Sequence, residues 1–187
     1  MGQAKTFTPQ ELEQVLAFVA KRRFAHRNRL LVLTSFWSGM RVGEIASLKL
    51  GDVLDARGCV KAELRLDASQ TKGKHARTVF LPTKLRDALQ GYVDMLQSRS
   101  RHLPLFMTAG GKPFSANVLA QFYFWLYRKA GIEASSHSGR RSFITNLANQ
   151  GIGVRVLAGL AGHRSITVTQ RYIDVNDDMK RRAVELV

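Results

Sequence analysis

The sequence predicts a fold that is mainly α with a small antiparallel β-sheet, an α+β domain. Three observations predict it. Apolar residues recur at helical spacing through most of the chain. One stretch, residues 51–82, replaces that rhythm with two short segments of partial alternation. A polar, glycine-containing connection joins those two segments, as a hairpin would.

Thr8-Pro9-Gln10-Glu11 opens the first helix. It carries a Ser/Thr-x-x-Glu capping box with Pro at the first helical position. Leu12, Val15, Leu16 and Val19 then form its stripe. Asn28 is expected to cap a second helix, with Leu30, Leu31, Leu33, Thr34 and Trp37 buried and Gly39 ending it. A short third helix should run from Val42 to Leu48. Val60–Leu66 and Arg77–Leu81 are the strand-like segments, and 67–76 is the basic hairpin between them. Helical periodicity returns over 83–97, 115–130, 139–150, 154–161, 165–173 and from 177 onward, with Gly131 and Gly151 as helix stops.

The strongest compositional signal is charge: 29 Lys and Arg against 14 Asp and Glu, a net charge of +15 over 187 residues. A chain this basic is either merely soluble or suited to a polyanion, nucleic acid first among them. The cations are scattered rather than gathered on one amphipathic face, and no run of about 18 apolar residues occurs, so a membrane partner is not expected. Cys59 is the one cysteine, which excludes an internal disulfide and fits a reducing, cytoplasmic setting. No Cys/His cluster has zinc-ligand spacing.

Two arginines fall on apolar helix faces. Arg140 shares a face with Phe143 and Ile144, and His137 lies three residues before it. Arg41 aligns with Ile45 and Leu48, with Glu44 three residues on. Each Arg either pairs with a carboxylate or waits for an anion, and guanidinium groups grip two phosphate oxygens well. Lys72 and Lys74, on the hairpin, either reach such a phosphate or form a solvated turn. His163 and Tyr172 follow in a polar, basic run.

The segments SGMRVGEIASL, TKGKHARTVFLP, HSGRRSFITNLANQG and LAGHRSITVTQRYI, in that order and spacing, resemble the catalytic domain of the tyrosine recombinases, the phage-integrase family. The resemblance runs from Phe7 to the C-terminus. It implies a catalytic set of Arg41, Lys72, His137, Arg140, His163 and Tyr172. The two arginines would clamp the scissile phosphate. The two histidines would bond it and help proton transfer. Lys72, with Lys74 as the fallback, would protonate the leaving 5′ oxygen, and Tyr172 would be the nucleophile. Glu44 would support Arg41. Lys74, Arg77, Arg141, Arg164 and Arg171 are the expected DNA contacts. The chemistry is coherent: a phenol needs help to act as a nucleophile, and fixed cations stabilise charge developing on phosphate oxygens. No metal or organic cofactor is expected.

The chain departs from the family pattern His-x-Leu-Arg-His, since Gly139 and Arg141 fill the Leu and second His places. Gly139 should loosen that helix start, and Arg141 should add charge beside the site. Many members also carry an N-terminal core-binding domain, whereas here the resemblance begins almost at Met1. That suggests one catalytic domain over 1–187, with a core of about 7–173 and a tail helix over 174–187 that could pass between protomers. It is similar in this to the short recombinases that invert promoter segments, though an excised domain would look the same. Double-stranded DNA is the expected partner, with self-association to a tetramer on DNA and an accessory DNA-binding protein as further expectations. Two other readings stay open: type IB topoisomerase-like relaxation, and a helix–turn–helix regulator built on 153–173. The tail, with Met179, Ala183, Leu186 and Val187 as a partial stripe, favours recombination over relaxation.

Overall fold

The computed structural model describes residues 4–173 and 177–185. Its helices are α1 (Pro9–Ala20), α2 (Ala25–Ser38), α3 (Val42–Ser47), α4 (Leu50–Val53), α5 (Thr83–Asp94), α6 (Ala116–Lys129), α7 (Ser138–Asn149), α8 (Val154–Ala161), α9 (Ile166–Gln170) and α10 (Asp177–Val184). Strands β1 (Glu63–Leu66) and β2 (Arg77–Phe80) pair antiparallel, Leu64 opposite Val79 and Leu66 opposite Arg77. The mainly α architecture with one small sheet is therefore the observed one.

α1 starts as its capping box dictates. Thr8 Oγ1 accepts from the Glu11 amide at 3.2 Å, and a Glu11 carboxylate oxygen accepts from the Thr8 amide at 3.0 Å. α2 begins a turn earlier than the sequence suggests. Phe24, in the left-handed region at φ 61°, precedes its first residue, and Asn28 sits inside the helix. The reason is Arg27. Its buried guanidinium donates to Met107 O at 2.6 Å and, from Nε and Nη2, to Asn28 Oδ1, so Asn28 anchors an arginine rather than capping a helix. The strand forecast at 60–66 is trimmed to 63–66, because Val60 pairs back with Leu54 and Lys61 donates to the Gly51 and Asp52 carbonyls. A 3₁₀ turn (Ala68–Gln70) occupies part of the hairpin connection.

α2 is the buried axis. Leu30, Leu31, Val32 and Leu33 are all at most 3% exposed, so this helix is apolar around its middle and takes neighbours on several sides. α1, α5 and α7 pack against it. Tyr123 of α6 joins it too, donating its hydroxyl to Leu31 O at 2.6 Å. Ser142 Oγ of α7 accepts from the Phe7 amide at 2.8 Å, which ties the start of the chain to the same packing layer.

Gly139 overturns its expectation. It is buried in the first turn of α7, and a Cβ there would lie 2.4 Å from Ser35 Oγ and 3.2 Å from the Phe36 amide nitrogen of α2. The missing side chain lets two helices approach closely, so it tightens this junction instead of loosening it. Gly139→Ala would gain under about 1 kcal/mol of helix propensity. It would lose about 1–3 kcal/mol to overpacking. The expected net is a lower denaturant midpoint, with Gly139→Leu worse; a higher midpoint for Gly139→Ala would refute the close-packing account.

Candidate active site

The site is assembled around the C-terminus of α8. Gly162 takes the left-handed conformation at φ 62°, the Gly162 amide donates to Gly159 O, and the His163 amide donates to Ala158 O. This is a Schellman end, for which glycine is the natural residue. It fixes His163 immediately beyond the helix and leaves the last carbonyls without helical partners. Three arginines from three other elements fill those places. Arg77 of β2 donates to Leu160 O at 3.0 Å. Arg140 of α7 donates to Ala161 O at 2.6 Å. Arg41, at the N-cap of α3, donates to Gly162 O at 3.3 Å. The negative end of a helix dipole favours such cations.

Glu44 organises two of them. Its carboxylate is 1% exposed and accepts from Arg77 Nε at 3.1 Å and Nη2 at 2.7 Å. It also accepts from Arg41 Nη1 at 3.1 Å and from the Arg41 amide at 2.8 Å. Burial pushes this carboxyl up, but the bonds and charges of Arg77 and then Arg41 outweigh it and hold the group below the usual range. Glu44 is thus the support behind Arg41. The sequence did not reveal its second partner, because Arg77 lies 33 residues away on a strand.

Among the described residues, no carboxylate bonds Arg140. The guanidinium is 2% exposed and donates to Gly39 O at 2.5 Å, to Ala161 O, and to His163 Nε2 at 2.8 Å. Gly39 caps α2, so the negative ends of two helices meet on one guanidinium. Burial, then the nearby charge of Arg41, lowers Arg140 to about 10, which still leaves it cationic at neutral pH.

These contacts fix the His163 tautomer. Arg140 can only donate, so Nε2 accepts, and the proton sits on Nδ1, 2.9 Å from Thr169 Oγ1. Thr169, on α9, is fully buried. Burial and the charges of Arg140, Arg41 and Arg77 push His163 down to about 4. The Tyr172 ring stacks on the imidazole, centroids 5.5 Å apart and planes inclined by 28°. Thr169 was missed from sequence: a threonine six residues after a histidine carries no signal until α9 folds back beneath α8.

Arg41, Lys72, His75, Arg77, His163 and Arg164 share the wall of one cavity of about 590 Å³. Lys72 and Lys74 are exposed on the hairpin, Lys74 at φ 52°. Arg164 Nη1 donates to His75 Nε2 at 3.0 Å, joining the hairpin to the α8–α9 turn. His137, at the N-cap of α7, is exposed; partial burial and then the charges of Arg140, Lys72 and Arg41 lower it. Arg171 is exposed. Two of the cations expected at DNA lie inside instead of on the open surface: Arg77 on Glu44, and Arg141, 7% exposed, with its guanidinium carbon 5.6 Å from the centre of the Tyr172 ring.

A depressed His163 has a definite pH consequence. Its neutral form is favoured in the folded chain, so the unfolded chain binds the proton first. This contribution to stability is whole above the ordinary histidine value of 6.5 and is lost as pH falls toward about 4. NMR titration of the His163 ring should therefore show a midpoint near 4. A midpoint at the ordinary 6.5 would contradict the packing of the three guanidinium groups around it.

The model of the phage integrase family matches residues 5–179. The tyrosine recombinase XerA of Thermococcus kodakarensis is 30% identical over 185 residues, which cover 97% of this chain and 62% of that protein. In fold, the crystal structure of XerA recombinase matches with a TM-score of 0.76 at 23% identity, over 97% of this chain and 63% of the other. The Tn1549 transposon integrase in complex with circular intermediate DNA matches with a TM-score of 0.73 at 22% identity, over 98% and 66%. The chain thus spans less than two thirds of the length of these proteins. With the four segments matched in order and their side chains gathered at one helix end, the chain belongs to the phage integrase family.

Proposed function

We propose that this chain is the catalytic domain of a site-specific DNA recombinase that cuts and rejoins double-stranded DNA through a covalent 3′-phosphotyrosine. The observation that carries the reading is the convergence of Arg41 and Arg140 on adjacent carbonyls of α8, beside His163, with the Tyr172 ring stacked on that same imidazole. A buried guanidinium with two carbonyls and a neutral imidazole as partners, and no carboxylate partner among the described residues, is suited to receive an anion.

Arg41 and Arg140 bind the two non-bridging oxygens of the scissile phosphate, and His137 adds a further contact. Tyr172 Oη forms a bond to phosphorus as the bond to the 5′ oxygen breaks. The phenol proton passes to the neutral His137 imidazole, and Lys72 donates a proton to the departing 5′ oxygen. A 5′ hydroxyl of another strand reverses these steps: it displaces Tyr172 and reseals DNA. Lys74, Arg164 and Arg171, all exposed, supply contacts to the backbone that vary little with sequence. The core of about 7–173 carries this chemistry. In this reading four copies act together on DNA, with α10 passing between neighbours; Ala183 and Val184 are exposed on it. Leu186 and Val187, which the expected stripe joins to Met179 and Ala183, lie outside the described residues. An accessory DNA-binding protein would complete the grip on DNA.

The regulator reading is weaker on structural grounds. α9, its recognition helix, has five residues, and its Thr169 is turned inward onto His163. A topoisomerase-like activity would use the same side chains and differs only in outcome.

A nicked DNA substrate that releases a short strand after cleavage should trap a covalent adduct with the chain and none with Tyr172→Phe. Tight binding with no adduct on any site would return the regulator; rapid relaxation of plasmids lacking a special site would return the topoisomerase. A second experiment addresses the general acid. Lys72→Ala should cut adduct formation by about a hundredfold or more on ordinary DNA. Sulfur in place of the bridging 5′ oxygen makes a leaving group that needs no proton, and should restore the rate. Failure of that rescue, with rescue of Lys74→Ala instead, would move the role to Lys74.

A further inference from the structure

We propose that Arg141 is a positioning residue for the nucleophile: its guanidinium grips the Tyr172 ring and sets where the phenol stands relative to the phosphate pocket. The proposal rests on the assignment of Tyr172 as nucleophile. Arg141 is 7% exposed, and its guanidinium carbon lies 5.6 Å from the ring centre, within cation–π range. Its Nη1 also approaches the Arg171 carbonyl, at 3.5 Å. One turn further along α7, Thr145 Oγ1 donates to the Tyr172 carbonyl at 3.0 Å. Positions 141 and 145 lie on one face of the helix, so α7 holds the nucleophile by its ring and by its backbone from a single side.

The neighbouring residue gives this contact its meaning. Arg140 projects about 100° around the same helix and forms the phosphate pocket. Two consecutive arginines on one rigid element therefore fix the two reacting partners relative to each other, one binding the electrophile's oxygens and the other the nucleophile's ring. As the phenol gives up its proton, its ring becomes more electron-rich, and attraction to the guanidinium grows toward the transition state. A surface cation for DNA would be expected to stand in solvent, whereas Arg141 is turned onto the ring.

The test separates holding the nucleophile from holding the phosphate. Hydrogen peroxide is the probe: in Tyr172→Phe its anion can attack phosphorus and displace the 5′ oxygen, which leaves with a proton, and no tyrosine is involved. Arg141→Met keeps bulk and removes charge. It should slow formation of the Tyr172 adduct about ten- to a hundredfold, the scale of a misplaced reacting group. In the Tyr172→Phe background the same change should leave peroxide cleavage within about twofold, since the phosphate pocket is intact. If both reactions fall together, Arg141 merely supports the packing of Arg140 and the proposal is wrong. If neither falls, the ring contact is idle and the proposal is equally wrong. Arg141→Lys carries the same comparison should Arg141→Met fail to fold, and is expected to retain part of the adduct rate. Loss of both reactions in the chain with Arg141 unchanged would instead defeat the functional reading itself.

Discussion

Everything at this site depends on how one helix ends. The carbonyls at the end of α8 are partly or fully buried in their contacts, and unpaired buried carbonyls are costly. Arg77, Arg140 and Arg41 each take one, in consecutive order from Leu160 to Gly162. Those arginines come from a strand, from the helix that packs on the axis of the fold, and from the start of a short helix. One helix terminus thereby gathers elements that are far apart in the chain. It can do so because residue 162 is glycine: the backbone is left-handed, and a Cβ there would lie 2.6 Å from Arg77 Cδ.

Gathering cations this closely would be self-defeating without compensation. Glu44 is one compensation, a buried carboxylate that holds Arg77 bidentately and Arg41 from the other side. Burying any carboxylate carries a penalty of several kcal/mol, and two guanidinium partners are what make this burial tolerable. The helix ends of α2 and α8 are the other compensation: Arg140 donates to both, with the charge of Glu44 also acting in its favour, beside a neutral His163. The outcome is asymmetric. Arg77 is held bidentately by Glu44, Arg41 is shared between Glu44 and the Gly162 carbonyl, and Arg140 bonds two helix-end carbonyls and His163. A phosphate bound there would meet donors that need no rearrangement to stabilise developing charge, which is the economical arrangement for phosphoryl chemistry.

His163 links the Arg140 guanidinium to the Tyr172 ring. The burial and the cationic neighbours that lower it to about 4 keep it neutral, with one nitrogen turned to Arg140 and the other to Thr169. A neutral ring can lie flat against a phenol. Were it charged, it would add to the repulsion Glu44 offsets. The depressed value, the tautomer and the stacking are consequences of one placement. Family resemblance assigns His163 a role, but the role follows from the neighbours that α7 and α9 bring.

The sequence by itself determined the local rules. The capping box at Thr8, the helix end at Gly39, the break from helical to alternating rhythm at the sheet, and Arg140 on an apolar face are all properties of short segments. Their causes act within about one turn or one strand, so spacing exposes them. The ordered motifs also exposed the candidate reactive groups and the partner of Arg41. Tertiary structure alone decided the rest. It made Asn28 an anchor for Arg27 instead of a cap, and turned Gly139 into a contact between α7 and α2 where a loosened start was expected. It sent Arg77 to Glu44 and Arg141 to Tyr172, although both were expected as DNA contacts. The physical reason is the same in each case. A buried polar group must find its partner wherever packing brings one, and packing joins residues that no sequence period relates.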